Sequence, residues 1–144
     1  MFDAAECSQE PGLVAVLLDW AKAFDRIKHD AMIKALARFG IPEPILSLIS
    51  SIYRTRSFIL RDPAGDSSAR QQRAGIAQGC PLSPYLFVIV QTVMFFDIDR
   101  LYNEMGMNFE EPPYVVCNDV LYADDTMLVS ASALKAQLLL DITI

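Results

Sequence analysis

The sequence predicts a mixed α/β domain, a small antiparallel sheet with helices packed on one face. Three observations predict it. The run Leu13-Val-Ala-Val-Leu-Leu18 is continuous, apolar and rich in branched residues, as a buried strand is. Two further strand-like segments, 114–121 and 126–130, meet at the turn sequence Tyr122-Ala-Asp-Asp125. Between them and the first run lie segments with apolar residues three and four apart, punctuated by Pro and Gly, which read as helices. The 144 residues are one domain's worth of chain. With 53% apolar residues and a mean hydropathy of +0.28, the composition excludes disorder.

The first strand is bounded by Pro11-Gly12 before and Asp19 after, and reads as buried on both faces. Asp30 is expected to cap a helix carrying Ile33, Leu36, Ala37 and Phe39, with Gly40 as its stop. His29, just before that helix, is expected to be solvated or to serve as a cap. Pro42 and Pro44 open a second helix through Leu46, Ile49, Ile52 and Tyr53. The segments 57–61 and 69–73 flank Asp62-Pro-Ala-Gly65 and predict a β-hairpin. A tight loop over 75–81 then leads into a long helix over 83–104. Glu110-Glu-Pro-Pro113 reads as a linker. A final helix begins near Ser132 and runs to the last residue without a cap.

Several function classes fall away. The longest apolar run, 85–96, is interrupted by Gln91 and falls short of the ~20 residues a spanning helix needs. The first residues carry acids where a secretion signal carries positive charge, so an intracellular setting, the nucleus included, is expected. Cys7, Cys80 and Cys117 are widely spaced and suggest neither a disulfide framework nor a zinc knuckle. His29 is the one histidine, which removes His-rich metal sites. The net charge is −6, yet it is unevenly placed. From Lys22 to Arg73 ten basic residues stand against five acids, whereas from Asp97 to Asp125 eight acids stand against Arg100 alone. Charge alone leaves open whether these are binding surfaces or simply solvated faces.

Asp19 closes the first strand, and Asp124 and Asp125 lie at the turn between the last two. Carboxylates crowded at strand ends repel by roughly 4 kcal/mol per pair at ~4 Å and an effective dielectric of ~20. Divalent cations relieve that repulsion, and hard oxygen donors suit Mg²⁺. Ala-Asp-Asp is also ordinary turn chemistry, so this pair by itself decides nothing.

Three segments occur in a fixed order: Leu18-Asp-Trp-Ala-Lys-Ala-Phe-Asp25, Gln78-Gly-Cys-Pro-Leu-Ser-Pro84 and Tyr122-Ala-Asp-Asp125. They resemble motifs A, B and C of reverse transcriptases, in the branch of non-LTR retrotransposons and group II introns, across nearly the whole chain. The resemblance implies an α/β polymerase palm, part of a right-hand fold, and an RNA-directed DNA polymerase using two Mg²⁺ ions, with Mn²⁺ as an alternative. It implies Asp19, Asp124 and Asp125 as catalytic metal ligands, with Asp19 and Asp124 side by side. It implies Phe24 as the steric gate that excludes a 2′-hydroxyl, with Gln78 and Gly79 near the nascent base pair. RNA-making relatives tend to carry an Asp at the gate position; here the Asp comes one residue later, at Asp25. The implied partners are an RNA template, a DNA primer, deoxynucleoside triphosphates and the fingers and thumb of a longer polymerase.

Only 18 residues precede Asp19, and the family's fingers lie upstream of motif A. The chain is therefore expected to be a partial reverse transcriptase domain, lacking most of the fingers and all of the thumb, with little or no polymerase activity by itself. Its apolar excess would include surface meant for those subdomains. Two other readings share the motifs: a catalytically inactive remnant of a retroelement polymerase, and a maturase-like or telomerase-like enzyme.

Overall fold

A computed structural model of the chain describes residues 12–144 apart from 108, 110, 111, 114 and 116. The expectations for Cys7, the N-terminal residues through Pro11, and Glu110, Glu111, Tyr114 and Val116 lie outside the described residues. The fold is a mixed α/β arrangement with small antiparallel sheets and helices. The described residues form two compact units, one from residues 12–19 together with the described residues of 98–144, and one from Trp20–Asp97.

The first unit holds a three-stranded antiparallel sheet of β1 (Val14–Asp19), β6 (Asp119–Tyr122) and β7 (Asp125–Ser130), in the order β1-β7-β6. Helix α5 (Ala133–Thr143) contacts β7 and β1. Its start is set by Ser132, whose hydroxyl accepts from the Lys135 amide. Leu128, Thr126 and Ser130 are buried together with Ala136 and Leu139 of the helix. The expectation that β1 is buried on both faces is corrected: its residues alternate, and Leu17 is 81% exposed. An antiparallel sheet covered by a helix on one side leaves its other face to solvent, even where the sequence is continuously apolar.

The second unit is built around α2 (His29–Phe39), α3 (Glu43–Arg54) and the first part of α4 (Ser83–Glu104). Its core joins Met32, Leu36, Leu46, Ile49, Tyr53, Ile76, Leu86 and Phe87. Asp30 is not the cap of α2, another correction. The helix begins one residue earlier, Lys28 occupies the cap position without a side-chain bond, and Asp30 sits in the first turn, where its charge suits the helix dipole. Gly40 ends α2 with φ 102°, and its N–H reaches the carbonyls of Ala37 and Leu36. Pro42 and Pro44 open α3 as expected. The hairpin forms as two short ladders: β2 (Ser57–Phe58) with β5 (Arg70–Gln71), and β3 (Arg61–Asp62) with β4 (Gly65–Asp66). Between β1 and α2 lies the single-turn helix α1 (Ala23–Arg26).

Candidate functional site

The site residues expected from the sequence fall in the two units. The carboxylates belong to the first. In β1 the alternation of side chains brings Asp19 to the end of the strand on the solvent face. Strands β6 and β7 are joined through Ala123 and Asp124, with Tyr122 and Asp125 as the closing pair. Ala123 adopts a left-handed φ of 52°, rare for a residue with a Cβ, which makes so short a turn possible.

In the β1–β7 register, Asp19 lies directly opposite Asp125. Asp124, expected near Asp19, sits in the turn immediately before that register partner. Directly opposed antiparallel residues have Cα atoms ~4.5–5.5 Å apart, so two like charges share one rung. Asp19 and Asp125 are exposed and Asp124 is half-buried. Among the described residues, none of the three side chains has a hydrogen-bond or ion-pair partner. A concavity of about 230 Å³ adjoins Asp19 and Asp125, lined also by Leu17, Val120, Tyr122 and Met127.

Among the described residues, no three His, Cys, Asp or Glu side chains are gathered to hold a metal ion. The donor set still fits magnesium. That ion seldom sits in an all-protein cage; it is held by one or two carboxylates and takes its other ligands from water and phosphate. The Asp19–Asp125 rung offers two hard, unpartnered carboxylates.

Phe24, Gln78 and Gly79 belong to the second unit. The Phe24 ring lies parallel to that of Phe87, centroids 4.2 Å apart at 14°. Its carbonyl accepts from the Ile76 amide at 2.7 Å. Gln78 Nε2 donates to Asp25 Oδ1 at 3.4 Å. Gly79 has φ 80°, which a glycine adopts without strain, and a Cβ there would meet nothing within 4 Å. The following helix is fixed by Ser83, whose buried hydroxyl donates to the Ala77 carbonyl.

His29 is half-buried, and Lys28 rather than His29 holds the cap position of α2, which corrects the capping expectation. Its Nε2 donates to the Gly75 carbonyl at 3.0 Å and its ring lies 4.9 Å from that of Tyr53. Sequence reasoning missed this tie, and with it Gly75 and Phe87. A pair 46 positions apart leaves no local pattern. Phe87 reads as one more core aromatic. Gly75 carries a signal of its own, a lone glycine in a tight loop.

One carboxyl elsewhere in the sheet is perturbed. Burial, and then the charge of Asp99, push the Asp119 carboxyl above its ordinary range. The native state therefore binds the extra proton. Any stability from that proton is fully present below the ordinary carboxylate range and is lost as pH rises through the raised folded value. Asp119→Asn is accordingly expected to stabilise the chain at neutral pH, by no more than ~1 kcal/mol given its exposure, and to lose that advantage as pH falls below the raised value. Thermal denaturation at neutral and at acid pH checks this; destabilisation at neutral pH would contradict it.

Comparison with known proteins adds an independent finding. A sequence profile described as reverse transcriptase (RNA-dependent DNA polymerase) matches residues 4–143. The Pol polyprotein of the type-2 retrotransposable element R2DM of Drosophila melanogaster is 28% identical over 127 residues, covering 88% of this chain and 11% of that protein. A Pol polyprotein of the type-1 retrotransposable element R2 of Popillia japonica is 32% identical over 115 residues, covering 79% and 16%. An uncharacterized 149 kDa protein of transposon TX1 of Xenopus laevis is 27% identical over 119 residues, covering 82% and 9%. The chain thus spans between 9% and 16% of the length of these three relatives.

Proposed function

This chain belongs to the reverse transcriptase (RNA-dependent DNA polymerase) family, and we propose that it forms a catalytic palm that copies RNA into DNA in a non-LTR retroelement. The observation that carries the reading is the Asp19–Asp125 rung with Asp124 in the adjoining turn. Asp19 and Asp125, far apart in the sequence, share one rung at the end of one sheet, with Asp124 next in the turn, and none of the three has a partner among the described residues. Such an arrangement costs stability unless something positive resides there.

Asp19, Asp124 and Asp125 would hold Mg²⁺. Bound there, magnesium supplies activation of the primer 3′-hydroxyl and offsets charge at the α-phosphate and leaving pyrophosphate. The chain's own residues do the rest. Phe24 presents a flat ring stacked on Phe87, and in this reading that ring would exclude a 2′-hydroxyl. Gln78 and Gly79 lie in the loop bonded to the Phe24 segment and would border the nucleotide. The arginines of the hairpin (Arg56, Arg61, Arg70 and Arg73) would meet phosphates of template or primer. No helix among the described residues is long and apolar enough to cross a membrane.

The reading is tested by nucleotide binding rather than by turnover, since the isolated chain is expected to extend a primer poorly. The purified chain is titrated with dCTP and with CTP, in Mg²⁺ and in EDTA, and resonances of Phe24, Gln78 and Asp125 are followed by NMR. Mg²⁺-dependent binding with preference for dCTP is the expected result. Equal response to both nucleotides, or response unaffected by EDTA, would contradict it.

A further inference from the structure

Asp25 stands next to the gate residue and has no part in the metal set. The chain nonetheless builds a close junction around it. Lys28 and Ala74 form an isolated antiparallel bridge. The Gly75 amide donates to the Ile27 carbonyl at 2.8 Å, and the Ile76 amide to that of Phe24 at 2.7 Å. The Gly75 carbonyl accepts from His29 Nε2 and from Gln72 Nε2, at 3.0 and 3.1 Å. The loop backbone comes so near that a Cβ on Gly75 would lie 3.0 Å from Asp25 Cα. These bonds set the loop of Gln78 against Asp25 before either side chain is considered. Gln78 Nε2 then reaches Asp25 Oδ1.

We infer that Asp25 is a positioning residue: it holds the Gln78 carboxamide in one of its two flips, so that an incoming deoxynucleotide meets the Gln78 oxygen. The inference rests on the proposed function. Its chemistry is simple. An ionised carboxylate only accepts hydrogen bonds, so of the two ends of the carboxamide only the NH₂ can face it. The oxygen is left as the free end, an acceptor for a donor group on the nucleotide. An asparagine at position 25 would remove that choice, because its own amide can face either end of Gln78. The main-chain bonds fix where Gln78 starts; the Asp25 carboxylate selects how its amide is turned.

The experiment follows the side-chain NH₂ of Gln78 by ¹⁵N NMR in the full 144-residue chain and in the near-isosteric Asp25→Asn. In the parent, the two amide protons are expected to be distinct and the group ordered. In the variant they should move toward the values of a free glutamine, while the backbone resonances of Gly75 and Ile76 stay in place. A purely structural role for Asp25 would move the backbone instead. In a second arm, dCTP with Mg²⁺ is expected to shift the Gln78 amide in the parent and to lose most of that effect in Asp25→Asn. Gln78 resonances indifferent to Asp25→Asn overturn the inference. A parent whose Gln78 ignores dCTP contradicts the proposed function, and the first arm still decides whether Asp25 orients Gln78.

Discussion

Gly75→Ala is expected to destabilise the chain by about 2–3 kcal/mol, the sum of two costs at one position. The first is conformational. Gly75 has φ 89°, where an L-residue is strained. The second is steric, since the new methyl would lie 3.0 Å from both Asp25 Cα and the Asp25 carbonyl oxygen. Those are backbone atoms, so no rotamer change relieves the clash. Relief requires the loop to lift, which breaks the bonds of Gly75 to Ile27 and His29. Gly40→Ala is the control. Its φ is 102°, but nothing lies within 4 Å of the added Cβ, so only the conformational cost of ~1 kcal/mol applies. Denaturant titrations of the two variants should differ clearly. Equal costs would mean that the close approach to Asp25 carries no weight.

Phe24→Val is expected to relax sugar discrimination by about ten- to a hundredfold, the scale on which pocket shape alone separates related ligands. The Phe24 ring is half-buried and lies flat on Phe87, which is only 4% exposed. Valine keeps the apolar character and removes the plane. The change also forfeits the ring pair, worth ~0.5–1.5 kcal/mol, so stability must be measured alongside. Phe87→Leu separates the two effects. It removes the support yet leaves the Phe24 ring, and should loosen discrimination by less than Phe24→Val does. The readout is the ratio of dCTP to CTP affinity. A ratio that survives Phe24→Val in a folded chain would place sugar selection elsewhere.

The sequence and the structure part company in instructive places. Helix α4 was readable at both ends because Pro81, Ser83 and Pro84 punctuate its start and its apolar run is long. Gly40 was readable as a stop because a glycine after an amphipathic run has one common use. The register at the acids was not. It depends on Ala123 taking a left-handed φ, which an alanine rarely does, so Tyr-Ala-Asp-Asp could not be divided correctly between turn and strand. The one-residue difference decides whether Asp19 faces Asp124 or Asp125. The exposure of Leu17 was hidden for another reason. A continuous apolar run records what could be buried, and what covers a sheet lies elsewhere in the chain. The His29–Gly75 tie and the junction around Asp25 are long-range main-chain geometry, which side-chain periodicity does not report.

The central claim is that Asp19, Asp124 and Asp125 form one divalent-cation site, and Mn²⁺ tests it most directly. This ion accepts the same hard oxygen donors as Mg²⁺ and broadens nearby NMR signals. Added at low ratio to the labelled chain, Mn²⁺ is expected to broaden first the amides of Asp19, Asp124 and Asp125. Asp19→Asn should then weaken its binding by at least ~tenfold. Broadening centred on another acidic stretch, such as Asp62 and Asp66 of the hairpin, or unchanged by Asp19→Asn, would contradict the account.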